Sequence, residues 1–139
     1  MDKATRVGSF YGYLLAVFLL TFSFIELTSG PVILGRISTN PAYTATHATL
    51  GMLGLGMLAT GLFRPFISLV AVFLSVVGVL HFISGTDVLL WRIFHVNDNV
   101  AYMNFVIGGI SFFMLSVTST QVHEHHQPVN TKNTTAGIH

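Results

Sequence analysis

Four long apolar runs dominate the chain. They cover residues 7–27, 41–63, 66–84 and 98–120, and polar or turn-forming residues gather between them. A helix needs about 20 apolar residues to cross the hydrocarbon layer of a bilayer. The pattern therefore predicts four transmembrane helices, a polar leader over residues 1–6 and a polar, disordered tail over residues 121–139. Asn40-Pro41 and Asn97-Asp98 mark the starts of the second and fourth helices. Asparagine accepts from the free N–H groups of a first turn, proline suits the first helical position, and aspartate suits the positive end of the helix dipole. Phe63-Arg64-Pro65-Phe66 predicts a tight turn between the second and third helices. The two longer loops contain Val32-Ile33-Leu34 in one and Asp87, Trp91, Arg92 and His95 in the other. Both are too short to span and are expected to lie at the membrane interface, with Trp91 as an anchor.

One stretch occurs twice. Residues 29–51 read SGPVILGRISTNPAYTATHATLG and residues 84–108 read SGTDVLLWRIFHVNDNVAYMNFVIG. Ser-Gly, Val-[Ile/Leu]-Leu-x-Arg-Ile, Asn, His or Asn, and Gly recur in that order. The expected fold is an all-α integral membrane protein: a four-helix bundle of two tandem two-helix repeats, related by a pseudo-twofold axis along the membrane normal. Aligning the capping asparagines sets His47 on Asn104, Gly51 on Gly108, Gly54 on Ser111, Leu58 on Leu115 and Gly61 on Thr118. In the first and third helices Ala16 falls on Ala71, Ser23 on Gly78 and Glu26 on His81. The spacing in the second and fourth helices is that of a left-handed helix seam. Gly51, Gly54, Gly61, Gly108 and Ser111 are the expected packing residues, since small side chains let helices approach closely in lipid.

Composition sharpens this picture. Of 139 residues, 52% are hydrophobic and 8% charged, against about 25% charged in soluble domains. A net charge of +1 gives no basic footprint for nucleic acid. The chain has no cysteine, which excludes disulfide and thiolate chemistry. The first apolar run lacks a small-x-small cleavage pattern and is expected to remain as a span. Lys3, Arg6, Arg64 and Lys132 lie on one side of the predicted topology, and Arg36 and Arg92 on the other. The positive-inside rule then puts both termini in the cytoplasm and the repeated loops outside.

The helices contribute one strongly polar residue each to the outer half: Glu26, His47, His81 and Asn104. Polar groups at such depth face the bundle interior or a cavity. Two readings of the cluster stand. It is a hydrogen-bond network pinning four helices, or it is a cofactor, metal or proton site. In the second reading His47 and His81 are the candidate axial ligands of a haem or other tetrapyrrole. A Glu26–His81 pair is compatible with the sequence in charged or neutral form. Arg36 and Arg92 are repeated, which suggests a shared role in contacting headgroups or a nearby aspartate. His123, Glu124, His125 and His126 form a metal-prone tract in the tail. The glycines of the second helix follow no strand and are not a dinucleotide fingerprint.

His47-Ala48-Thr49-Leu50-Gly51, and Asn97-Asp98-Asn99 through Asn104 to Gly108, resemble the motifs of a bacterial family of four-span membrane proteins catalogued as domain of unknown function number 4383. The resemblance covers residues 8–118. It implies the four-span fold and a bacterial plasma membrane location, and it supplies no activity, because the family has no established one. This chain carries Asn104 where the family often has histidine. No nucleophile triad, phosphate loop or paired-carboxylate site is present, so the expected role is non-enzymatic: a scaffold or accessory subunit of a larger membrane assembly. Its expected partners are the lipid bilayer and other membrane subunits, with no nucleic acid. The alternative is the tetrapyrrole or metal protein, acting in electron transfer or sensing; a small transporter relying on Glu26 is a third reading.

Overall fold

The computed structural model describes residues 3–29, 32–33, 37–38, 40–83 and 86–124. Arg36, Lys132, His125 and His126 lie outside the described residues, as do the side chains of Asp87, His123 and Glu124. The fold is helical: α1 (Lys3–Ser29), α2 (Pro41–Ala59), α3 (Phe63–His81), α4 (Asp87–Phe94) and α5 (Asp98–Glu124). Between α1 and α2, β1 (Val32–Ile33) and β2 (Ile37–Ser38) pair antiparallel, Val32 opposite Ser38. Among the described residues, three helical segments are long and apolar enough to cross a membrane: Lys3–Ser29, Phe63–His81 and Asp98–Thr118. α2 is less apolar, because Thr44, Thr46, His47 and Thr49 crowd its first half.

Local chemistry sets the ends of the helices. At the start of α2, Asn40 is extended at φ −142° and its Oδ1 accepts from the Tyr43 N–H at 2.9 Å, with Pro41 in the first turn. At the start of α5, Asn97 Oδ1 accepts from the Val100 N–H at 3.1 Å. The two expected caps thus have the same geometry. α2 ends in a Schellman motif: Leu62 N–H donates to Met57 O at 2.8 Å and Gly61 N–H to Leu58 O at 3.0 Å.

Several boundaries differ from expectation. α1 takes in Lys3–Arg6, read as a non-helical leader, because lysine, alanine and arginine propagate a helix readily. α3 starts at Phe63, so Arg64 and Pro65 sit in its first turn, where proline's missing donor is not needed. The second loop contains the eight-residue α4, which continues the apolar period through Leu90 and Phe94. Gly61 is not on a seam. It lies beyond the end of α2 at φ +79°, and an added Cβ would meet nothing within 4 Å. Its role is the left-handed residue of the turn, which glycine adopts without strain.

α1 packs chiefly on α2, and α3 chiefly on α5. A Cβ on Gly51 would stand 3.1 Å from Ala16 O and 2.6 Å from Leu20 Cγ. One on Gly108 would stand 3.2 Å from Ala71 O and 2.9 Å from Ser75 N. Only glycine fits either contact as built. Between the pairs, a Cβ on Gly54 would strike the Phe66 ring, and Ser111 Oγ lies 2.8 Å from Tyr11 OH. Gly54 and Ser111 are both buried.

Two cores result. Leu15, Ala16, Leu19, Leu50, Leu58, Phe66, Ile67, Val70 and Leu74 form the first. Tyr43, Val77, Leu90, Val96, Val100 and Ala101 form the second, beneath α4. The outward faces carry Phe10, Phe24, Leu27, Met52, Phe82, Phe105 and Phe113, all exposed. Soluble monomers rarely expose apolar surface on this scale.

Candidate functional site

The site lies where the first two turns of α2 and α5 meet the last turns of α1 and α3. Glu26 is near the end of α1 and His47 is in the second turn of α2. They are 4% and 1% exposed, and His47 Nδ1 lies 3.2 Å from Glu26 Oε2. Either the ring N–H at Nδ1 donates to the carboxylate, or a protonated carboxyl donates to Nδ1. Tyr43, one turn before His47, packs its ring against the imidazole at 4.2 Å between centroids, and Phe22 approaches it at 5.4 Å. The Tyr43 hydroxyl donates to Asn104 Oδ1 of α5 at 2.6 Å. A continuous set of contacts therefore joins α1, α2 and α5.

His81 takes a different partner. Its Nε2 lies 2.9 Å from Asp98 Oδ1, at the first residue of α5. The side chain of Asp98 is 80% exposed, whereas that of His81 is 12% exposed. The Glu26–His81 pair that the sequence allows is thus not the one formed, and His47 and His81 each hold a separate carboxylate. The reason is the stagger of the pairs: Glu26 reaches across to α2, within its own pair, and His81 reaches across to α5, within its own. Each pair is tied near this end by one histidine–carboxylate contact, with the roles exchanged.

Three buried side-chain atoms have no hydrogen-bond partner among the described residues: Glu26 Oε1, His81 Nδ1 and Asn104 Nδ2. Among those residues no group of three or more His, Asp or Glu side chains converges in a way that could hold a metal ion. The expected cluster is brought together in part: Glu26, His47 and Asn104 belong to one set of contacts, and His81 to another.

Two contributors were not singled out from the sequence as site residues. Tyr43 is four residues before His47, so the two share a helix face, and that spacing was the available signal. Asp98 was read as a dipole and cap residue; its bond to His81 spans the α3–α5 interface and has no local signature. Trp91 stacks on His95 at 5.1 Å, and both Trp91 and Arg92 are exposed on α4. No protein-family model matches the chain, and neither the curated proteins nor the solved structures searched contain a significant match.

Proposed function

We propose that this protein is a non-enzymatic multipass membrane protein acting as a scaffold or accessory subunit of a larger membrane assembly. The observation that carries the reading is the distribution of polarity. Apolar side chains cover the outward faces of the long helices, while Glu26, His47 and Asn104 are turned inward, the first two bonded to each other and Asn104 to Tyr43. Such a bundle has a broad surface for lipid and neighbouring subunits and little soluble domain.

In this proposal α2 also spans, giving a four-helix bundle of two tandem repeats in the bacterial plasma membrane with both termini cytoplasmic. Supporting it, the register that sets Ala16 on Ala71 and Gly51 on Gly108 also sets Tyr11 on Phe66 and Gly54 on Ser111. The contact within one pair (Gly51 with Ala16) has its counterpart in the other (Gly108 with Ala71). The contact between pairs likewise has a counterpart: Gly54 with Phe66, and Ser111 with Tyr11. A twofold axis along the membrane normal generates this exchange. Membership of the four-span family named above belongs to the same proposal and rests on the His47–Gly51 and Asn97–Gly108 motifs.

Native mass spectrometry of the untagged protein, gently extracted from its own membrane, tests the function. Partner subunits at fixed stoichiometry are expected; a bare monomer or homodimer overturns the accessory role.

The tetrapyrrole or metal reading draws on one observation. Glu26 holds Nδ1 of His47, the arrangement by which a carboxylate orients a ligating histidine. A visible absorption band lost in His47→Ala would support it, and a colourless native protein would rule out the tetrapyrrole.

A further inference from the structure

The short helix α4 sits at a level that its neighbours define. It joins the end of α3 to the start of α5, and His95, Val96 and Asn97 alone separate it from Asp98. The Asp98 carboxyl is 80% exposed. A carboxylate so exposed belongs in water or among headgroups, since charge in hydrocarbon is costly. The start of α2 is at the same level, because Asn40 Nδ2 donates to Ile93 O of α4 at 2.8 Å. That bond satisfies one of the carbonyls left free at the end of α4, and His95 closes the helix in a left-handed conformation at φ 50°. α4 is thus clamped across the polar end of the bundle.

Its side chains divide accordingly. Leu90 is buried in the core beneath and Phe94 packs on Tyr43. Val88, Leu89, Trp91, Arg92 and Ile93 are exposed. An exposed set of four apolar residues and one cation has no match in water. It does match the boundary between acyl chains and phosphates, where tryptophan is enriched and arginine reaches outward to phosphate. Phe82, just past the end of α3, and Tyr102 of α5 are also exposed and in ring contact at 5.1 Å.

We propose that α4 is an interfacial helix that docks on the phospholipid surface, with Trp91 at the acyl–headgroup boundary and Arg92 on lipid phosphate. The proposal rests on the membrane reading above and adds a lipid-binding surface to it. Through Asn40 and Ile93, the depth of α4 fixes the depth of the start of α2.

Trp91 is the single tryptophan of the chain, so tryptophan fluorescence, excited selectively over tyrosine, reports on α4 alone. The full chain is reconstituted in mixed phosphatidylcholine–phosphatidylglycerol vesicles carrying bromine near the glycerol end or near the methyl end of the acyl chain. Stronger quenching by the shallow bromines, with weak quenching by aqueous iodide, is expected. Strongest quenching by the deep bromines, or iodide quenching without a bromolipid effect, overturns the interfacial placement. If the protein meanwhile floats with the vesicles, the membrane reading stands. Failure to float with vesicles removes both. Solid-state NMR dephasing of arginine guanidinium nitrogen by lipid phosphorus tests the second contact. A signal reduced in Arg92→Gln is expected, and an unchanged one overturns the phosphate contact.

Discussion

The two helix pairs solve the same packing problem with opposite treatment of their polar ends. In α1–α2 the histidine–carboxylate contact is sealed: Glu26 and His47 are buried under Tyr43 and Phe22. In α3–α5 it opens outward through Asp98. The difference follows from where the carboxylate is placed. Glu26 lies inside the last turn of its helix and points to a neighbour's interior, whereas Asp98 is the first residue of α5, at the rim. The closed contact can hold a unique arrangement because it excludes water, and for the same reason it cannot lose one partner cheaply. The open one can exchange its partner for water.

This contrast orders the mutational effects. His47→Leu leaves the Glu26 carboxyl buried without its partner and should destabilise the protein by about 3–5 kcal/mol, read as a loss of thermal stability in detergent. The double variant Glu26→Leu with His47→Leu should recover most of that loss, because replacing both members of a buried pair by apolar residues is near neutral. If the double variant is as unstable as the single one, the pair is not a closed unit. Gly108→Leu and Gly51→Leu should each cost about 1–3 kcal/mol or more through overpacking. Gly108 is the less forgiving, because an added side chain there meets the Ser75 backbone as well as the Ala71 carbonyl. At Gly51 one neighbour is the Leu20 side chain, which can move. Equal stability of Gly108→Ala and Gly51→Ala would erase that distinction. Tyr43→Phe removes the donor to Asn104 Oδ1 and should cost about 1–2 kcal/mol; an unchanged melting temperature would show that Asn104 finds another donor. Asp98→Asn should be smallest, within about 1 kcal/mol, as for exposed ion pairs. A loss as large as that of His47→Leu would mean that the open contact is no less critical than the closed one.

Much of the fold was legible because its determinants are local. Asn40 and Asn97 are capping residues by their own chemistry, and both cap as expected. Gly51, Gly54, Gly108 and Ser111 could be placed as packing residues because small residues at such spacing in an apolar helix mark a close helix contact; which helix each one meets was not legible. Gly61 fell in the same periodic series, yet it lies past the helix end; the period does not say where a helix stops, and the Schellman hydrogen bonds decide it. The short α4 was hidden because eight residues carry too little periodicity to separate a helix from an apolar loop.

Part of the candidate site's membership was legible, and its pairings were not. Glu26, His47, His81 and Asn104 stood out as polar residues in apolar runs. Which of them touch depends on how α1 and α3 rotate and stagger against their partners, and that is tertiary packing. Tyr43 gave a local signal, its spacing from His47. The Asp98 contact with His81 gave none.

The account depends most on α2, the long helix with the least apolar sequence. Because the native chain has no cysteine, Val88→Cys and Leu62→Cys each introduce a single thiol on an exposed position. Labelling with a membrane-impermeant maleimide, in intact cells and in inverted vesicles, should reach Val88→Cys from outside and Leu62→Cys from the cytoplasmic side. Those two positions bracket α3; the companion variant Asn40→Cys, expected outside with Val88→Cys, brackets α2 together with Leu62→Cys, and labelling of Asn40→Cys and Leu62→Cys from the same side would show that α2 does not cross and would contradict the four-span arrangement.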